Sequence, residues 1–464
     1  MTKIAFSVAV GLLLGVAFTA SPLSVVALTA AVPVIIFAGR GLPDDERRLL
    51  ARIMATALAI RVLIVMALLV AGLPHLNDLA VGPLTGDDAY YLGRAIRARD
   101  ILFKFADGRY DYFIVLDEYG HTSYVELLKT LQILFGPTPF SMRLVNAVFF
   151  LAGTAFLFRA ARPAFGKTAS FAGLLVLLFL PSLIWSSISL LKESLYFLCC
   201  SALLFCCVRL ATLPRRSKAV VLAVLAAISA WLLADLRRDT ITLVLSGIVV
   251  AGALRIVASS RARLVTAAAV VLLAASAAMT QPALRARAVS GIESAVRIHG
   301  GHVFTVGHHY KLLDDGFYKN PAAPGGWPLD LTPSQAGRFV VRAALTFLVT
   351  PWPWEMQSLG ELAFLPEQLL WYVLLIGLPA GIAAGWKRDA MATALFIGYA
   401  LPTAVAIAMT NGNVGTLLRL RGLVTPYILW LGVLGLIAMA ERALHARRQH
   451  AGLTGVFALD GHST

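Results

Sequence analysis

Two adjacent carboxylates, Asp87 and Asp88, stand in the stretch Leu84-Thr85-Gly86-Asp87-Asp88-Ala89-Tyr90-Tyr91-Leu92-Gly93-Arg94, just past a long apolar segment. Acidic side chains where a chain leaves a bilayer are costly to hold, and a carboxylate within hydrogen-bond reach of a hydroxyl is a general base. A plainer arrangement uses the same residues: Asp88 capping a helix over 89–99, with Asp87 complementing its dipole.

Cations recur in three other polar turns. Lys192 and Glu193 follow the apolar run 168–186. Arg237 and Arg238 sit between Asp235 and Asp239. Arg419 and Arg421 follow Asn411-Gly412-Asn413-Val414-Gly415-Thr416. A guanidinium fork matches a phosphate in bidentate fashion, so these groups suit a bound anion. Ion pairing within short hairpins, with Asp235 and Asp239 as partners, is the alternative. The stretch His299-x2-His302-x5-His308-His309-Tyr310 holds four histidines. Their number would serve a divalent metal, but their spacing matches no standard zinc template. The reading preferred here is a loop that closes over substrate, with His308, His309 or Tyr310 touching phosphate or sugar; a merely solvated loop is the alternative.

These groups need a frame. Of 464 residues, 59% are hydrophobic and 14% charged, and mean hydropathy is +0.78. Repeated apolar runs at that composition define an all-α polytopic membrane protein, not a soluble domain. The runs are 4–20, 22–38, 51–73, 143–160, 168–186, 190–208, 219–235, 240–257, 264–280, 368–385, 389–409 and 422–440, about twelve spans at the ~20 residues a bilayer requires. Short basic loops alternate with them (Arg40/Arg47/Arg48/Arg52, Arg159/Arg162/Lys167, Arg209/Arg215/Arg216/Lys218, Arg255/Arg261/Arg263, Lys387/Arg388, Arg442/Arg447/Arg448), which makes that side and both termini cytoplasmic. The net charge of +15 then reflects this bias and anionic lipid or phosphate, so no nucleic-acid partner is expected.

The segment 339–349 is also apolar, but counting it as a span would put Lys387 and Arg388 outside. Between Arg338 and Pro351-Trp352-Pro353-Trp354 it reads as an interfacial or re-entrant helix. The resulting division is a membrane core, 1–280, whose first external loop, 74–142, carries the Asp pair and amphipathic pieces such as 124–134. An external region, 281–367, the last spans, 368–440, and a cytoplasmic tail, 441–464, follow. Cys199, Cys200, Cys206 and Cys207 share one apolar run and read as packing residues rather than a disulfide framework. No Asn-x-Ser/Thr sequon occurs, which fits a prokaryotic inner membrane.

A carboxylate pair, phosphate-binding cations and aromatic external loops combine into one chemistry. Phosphate leaves readily from a lipid-phosphate-linked sugar, and cations stabilise it further. What remains is to orient and deprotonate an acceptor hydroxyl, which a carboxylate does. The chain resembles the GT-C-fold membrane glycosyltransferases of the protein-mannosyltransferase and aminoarabinose-transferase type. The resemblance lies in Gly86-Asp87-Asp88-Ala89-Tyr90-Tyr91, in Phe135-Gly136 leading to Ser141-Met142-Arg143-Leu144, in Pro181 through Lys192-Glu193, and in Gly412-Asn413-Val414-Gly415-Thr416 with Arg419 and Arg421. It implies a GT-C-like bundle, a polyprenyl-phosphate-sugar donor, and one-step inverting transfer to a glycan, lipid or protein hydroxyl on the non-cytoplasmic face. It implies Asp87 as the catalytic carboxylate; Lys192, Glu193, Arg237, Arg238, His308, His309, Tyr310, Arg419 and Arg421 are read, from their types and positions, as the groups around donor and phosphate. Many members carry Asp-Glu where this chain has Asp-Asp, which leaves the division of roles between Asp87 and Asp88 open. No cofactor is required by this chemistry, though some members use a divalent metal. Two other classes share parts of the pattern. A lipid-linked glycan flippase or transporter would place ionisable residues deep within spans and show internal repeats. A polysaccharide polymerase or ligase would share the basic external loops without needing the Asp pair.

Overall fold

The computed structural model describes residues 11, 21–72, 86–106, 108–116, 122–136, 138–212, 216–237, 240–258, 260–305, 307–318, 330–356 and 359–457. Among them the protein is helical, with no strand and one isolated antiparallel bridge, His309 to Asn413. Eight helices are long and apolar enough to cross a membrane, or nine if one bent pair forms a span. The chain is therefore a polytopic membrane protein by the length and composition of its helices.

The eight correspond to eight of the twelve apolar runs. Of the other four, 4–20 lies outside the described residues except for Gly11. The run 168–186 is broken, with a 58° bend between Lys167–Phe179 and Pro181–Ile188. The run 240–257 yields a shorter apolar helix, Thr242–Val257. The run 264–280 falls in a helix, Arg261–Thr280, that is not one of the eight.

Contacts divide the chain into two units. The first comprises Met1–Pro163 and Leu174–Thr242, the second Ala164–Gly173 and Leu243–Thr464. The first unit contains α1 (Pro22–Gly39), α2 (Asp44–Gly72), α3 (Gly86–Leu102), α4 (Arg109–Leu116), α5 (Ser123–Phe135), nearly all of α6 (Pro139–Phe165), the second half of α7 (Lys167–Phe179), α8 (Pro181–Ile188), α9 (Glu193–Leu210) and α10 (Arg216–Leu236). Helix α5 is amphipathic, burying Tyr124, Val125, Leu128 and Gln132 at helical spacing while Leu134 is exposed. Near the chain's basic turns, α6 is pinned to α1 and α2. Arg162 meets the buried Glu46 with two bonds of 2.9 and 2.8 Å, and Arg159 lies over the Phe37 ring at 4.6 Å. The four cysteines lie in α9 as free thiols, three of them buried.

The second unit contains most of α11 (Thr240–Val257), α12 (Arg261–Thr280), α13 (Pro282–Val303), α14 (Pro333–Val349), α15 (Leu359–Ala363), α16 (Leu365–Arg388), α17 (Ala390–Thr410), α18 (Val414–Arg421) and α19 (Thr425–Phe457). Its spine is a close α16–α19 pairing. A Cβ on Gly381 would fall 1.7 Å from Leu431 O, so only glycine lets these backbones approach. Helix α13 occupies part of what the sequence presents as external loop. Its buried face, Val296, His299, Gly300 and Val303, keeps helical spacing despite Arg285, Arg287, Glu293 and Arg297 along it. Helix α14 starts at a Thr332–Gln335 capping box and buries Ala336, Phe339, Ala343 and Phe347, a one-sided amphipathic helix outside the eight spans.

Candidate functional site

The first unit is organised at the break between α8 and α9. A chain that leaves and re-enters a helix exposes amides and carbonyls that helical bonding no longer satisfies, and Ser189, Leu190 and Leu191 are buried, so water cannot serve them. Side chains from three other helices do. Asp88 of α3 accepts from the Leu190 N–H at 2.9 Å. Arg143 of α6 donates to Ile188 O at 3.2 Å and pairs with Asp88 at 2.7 Å. Asn146, one turn further along α6, shares its amide protons between Ser189 O (2.5 Å), Leu191 O (3.1 Å) and the Tyr124 hydroxyl (2.8 Å). Arg61 of α2 donates to the Ser187 hydroxyl at 2.8 Å. Five successive residues, 187–191, are thus gripped from α2, α3 and α6.

Asp88 does not cap its helix, which begins at Gly86; the carboxylate points away to Arg143 and the α8–α9 turn. Asp87 is in the first turn of the same helix, and its side chain lies outside the described residues. Tyr124 sits against Tyr91, with ring centroids 5.6 Å apart. Burial above all, with the Asp88 and Glu193 carboxylates adding to it against the Asn146 hydrogen bond, holds the Tyr124 phenol well above its usual range, so it stays protonated.

The cations expected on a phosphate have protein partners in this arrangement. Lys192 donates to Leu236 O at 2.8 Å, satisfying the C-terminus of α10. Arg237 meets Glu193 at 3.3 Å and lies over the Tyr196 ring at 5.6 Å. Asp235 accepts from the Ser123 N–H and hydroxyl at the start of α5, so it is Glu193 that pairs with Arg237. Arg238 and Asp239 lie outside the described residues.

Sequence reasoning passed over Arg61, Asn146 and Tyr124. Arg61 lies inside the run 51–73 and is 1% exposed, with Nη1 on Ala57 O at 3.0 Å and its plane over the Phe150 ring at 5.0 Å. Among the described residues its Nη2 has no hydrogen-bond partner. A lone charge in an apolar run was the available signal. Arg61 is thus an ionisable residue well inside a candidate span rather than at its end.

The second unit holds a separate polar cluster. His299 and His302 of α13 both reach Asn411, through its carbonyl at 2.5 Å and its side-chain oxygen at 2.9 Å. A carbonyl can only accept, so His299 Nδ1 carries the proton and Nε2 is a bare acceptor with no partner among the described residues. Burial lowers the His299 pKa to about 4, with His302 adding to it and the Asn411 bond opposing. The segment around His308, His309 and Tyr310 lies against 411–414. Tyr310 N–H donates to Gly412 O at 2.9 Å, and Val414 N–H to His308 O at 2.8 Å. The two motifs, a hundred residues apart, are therefore brought together.

A Cβ on Gly412 would meet His299 O at 2.5 Å, which is why glycine stands there. His308 faces Glu361 at 3.5 Å and His309 is exposed. Arg421 is buried, with Nη2 on Phe347 O and Thr350 O and Nη1 on Gln368, so it satisfies the carbonyls that end α14. Arg419, two residues earlier on α18, is half-buried. An apolar cleft of about 310 Å³ lies between α14, α16, α17 and α19, lined by residues such as Phe347, Leu378, Phe396, Ala404, Tyr427 and Leu431. Among the described residues no three His, Cys, Asp or Glu side chains come together to hold a metal.

These helices and sites define an all-helical, multi-pass membrane protein with two buried polar clusters. Compared with protein-family models, with curated proteins and with solved structures, the chain matches none.

Proposed function

We propose that the protein is an inverting membrane glycosyltransferase that moves a sugar from a polyprenyl-phosphate donor to a hydroxyl of an envelope glycan, lipid or protein on the non-cytoplasmic face. The observation that carries this reading is the buried Asp88–Arg143 pair bound to the α8–α9 break. It gives the two aspartates different work. Asp88 is engaged by Arg143 and the Leu190 amide, and it fixes the first turn of α3. Asp87, on that same turn, is then the general base for the acceptor hydroxyl. The phenol of Tyr124, buried and kept protonated, accepts from Asn146 and so supports the α8–α9 break beside Asp88. The apolar cleft of the second unit suits a hydrocarbon chain, which supports a lipid-borne substrate.

The direct assay is purified protein with a polyprenyl-phosphate sugar and extracted envelope lipids or glycans. Release of polyprenyl phosphate with inversion at the anomeric carbon, read by NMR, is the expected result. Donor left intact by wild-type protein with every acceptor contradicts it.

A second reading, a transporter of lipid-linked glycans, is favoured by one observation: Arg61 within a span, beside a broken helix. In proteoliposomes a transporter moves a labelled lipid-linked sugar across the bilayer with its sugar–phosphate bond intact. A glycosyltransferase cleaves that bond.

A further inference from the structure

Arg61 is the eighteenth residue of α2, about 25 Å along the helix from Asp44, well inside a candidate span. Among the described residues it meets no carboxylate. Its partners are a hydroxyl, a carbonyl and an aromatic face. A guanidinium so buried retains its full desolvation cost, and neutral oxygens offset only part of it. Charged side chains within spans pair with one another or with backbone carbonyls, and mark substrate or ion pathways. Among the described residues Nη2 of Arg61 is buried and makes no hydrogen bond, while Nε and Nη1 are held by Ser187 and Ala57 O, so the remaining donor capacity is on Nη2.

The location is equally specific. Ser187 is the first of the five residues whose others are held by Arg143, Asn146 and Asp88. Arg61 is therefore the neighbour of the Asp88 cluster through a shared stretch of backbone. The cluster's other cations are already engaged: Arg143 with Asp88, Arg237 with Glu193, and Lys192 with a helix terminus. Broken helices at membrane depth are tolerated where they are buried in protein or line a site. The bend at Leu180 and the turn after Ile188 leave α8 as a short segment against which Arg61 is braced.

We infer that Arg61 is an anion-binding residue of the first unit, taking a phosphate oxyanion at the α8 segment. Resting on the glycosyltransferase reading, this makes Arg61, rather than Lys192 or Arg237, the group that meets the donor phosphate. The Ser187 hydroxyl and the Ala57 carbonyl fix the guanidinium plane and leave Nη2 as the group that meets the ligand.

The test compares wild type, Arg61→Met and Arg61→Lys by thermal shift in detergent, with four additions: none, a polyprenyl monophosphate, the uncharged polyprenol, and inorganic phosphate. Wild type is stabilised by the polyprenyl monophosphate and not by the polyprenol. Stabilisation by inorganic phosphate at matching concentration identifies free phosphate as sufficient; its absence identifies the lipid as the source. Either supports the anion site. Arg61→Met, close to isosteric and uncharged, melts at or above the wild-type temperature without ligand, and its affinity for the phosphate compound falls at least tenfold. If Arg61→Met does not fold, Arg61→Lys carries the comparison: it binds about tenfold weaker because a point charge replaces the fork. The inference is overturned if either folded variant binds as wild type does. It is also overturned if Arg61→Met melts well below wild type while affinity is kept, which marks a purely structural tie, or if wild type responds to no phosphate compound. Binding is read without turnover, so a protein that binds through Arg61 but transfers no sugar fails the glycosyltransferase reading and not this one.

Discussion

Asp88 and Arg143 are each other's charge balance in a place water does not reach. Asp88→Asn keeps the shape and removes the charge, leaving Arg143 buried and uncompensated, and costs about 3–5 kcal/mol. The expected outcome is a lower melting temperature and poor yield. Combining it with Arg143→Met, which removes the orphaned charge, recovers part of the loss, and a double-mutant cycle measures how much. No recovery would mean that the Leu190 amide, not the ion pair, is what Asp88 serves. His299 yields a pH prediction with a definite sign. Its folded pKa lies near 4, below the ordinary 6.5, so between those values the unfolded chain binds the extra proton. Stability is full above about pH 6.5 and declines as pH falls toward 4, by up to about 3 kcal/mol. Melting temperatures over that range fall in wild type. In His299→Phe the slope flattens, and an unchanged slope would place the titration elsewhere. At this scale the sequence marks which residues carry chemistry but not whom they meet. The adjacent Asp87 and Asp88 look equivalent in the chain. What separates them is a ligand set of Leu190 and Arg143, brought in from two other helices.

Apolar runs forecast helices well because hydrophobic length is a property of neighbours in sequence, and α1, α2, α6, α9, α10, α16, α17 and α19 fall where such runs stand. Breaks are harder. The bend at Leu180 has a local signal in Pro181, which cannot continue the backbone bonding of α7. The turn 189–192 has none, because its stability comes from Asn146, Arg143 and Asp88 at a distance. Helix α13 was hidden by its four charged residues, Arg285, Arg287, Glu293 and Arg297, which interrupt the apolar pattern that Val296, His299, Gly300 and Val303 complete. Asn146→Ala tests the break: two buried carbonyls lose their donor, and each unsatisfied group costs about 1–3 kcal/mol. Faster hydrogen exchange across 187–195 with the rest of α9 unchanged is the expected pattern. Uniform exchange as in wild type would show that the turn holds itself. In the second unit, Gly381→Ala puts a methyl group where the α19 backbone stands. Separation of α16 from α19 and a sharply lower melting temperature are expected, and a wild-type melt would show that this pairing is not tight.

For the whole chain, composition and basic loops define a multi-pass protein and propose its orientation. A cysteine at Gly86 is expected to react with a membrane-impermeant reagent from outside, and one at Arg215 only after permeabilisation. Equal labelling would overturn the topology, and with it the proposed placement of Asp87 on the side of an external acceptor. The chemistry itself rests on the two aspartates doing different things, and one measurement addresses that most directly: sugar transfer from a polyprenyl-phosphate donor by purified wild type, Asp87→Asn and Asp88→Asn, with donor binding and melting temperature taken on the same samples. Asp87→Asn is expected to fold, to bind donor as wild type does, and to turn over about 10²–10⁴-fold more slowly, because the amide cannot accept the acceptor's proton. Asp88→Asn is expected to lose stability first and rate in proportion. Transfer by Asp87→Asn at the wild-type rate contradicts the assignment of Asp87 as the base.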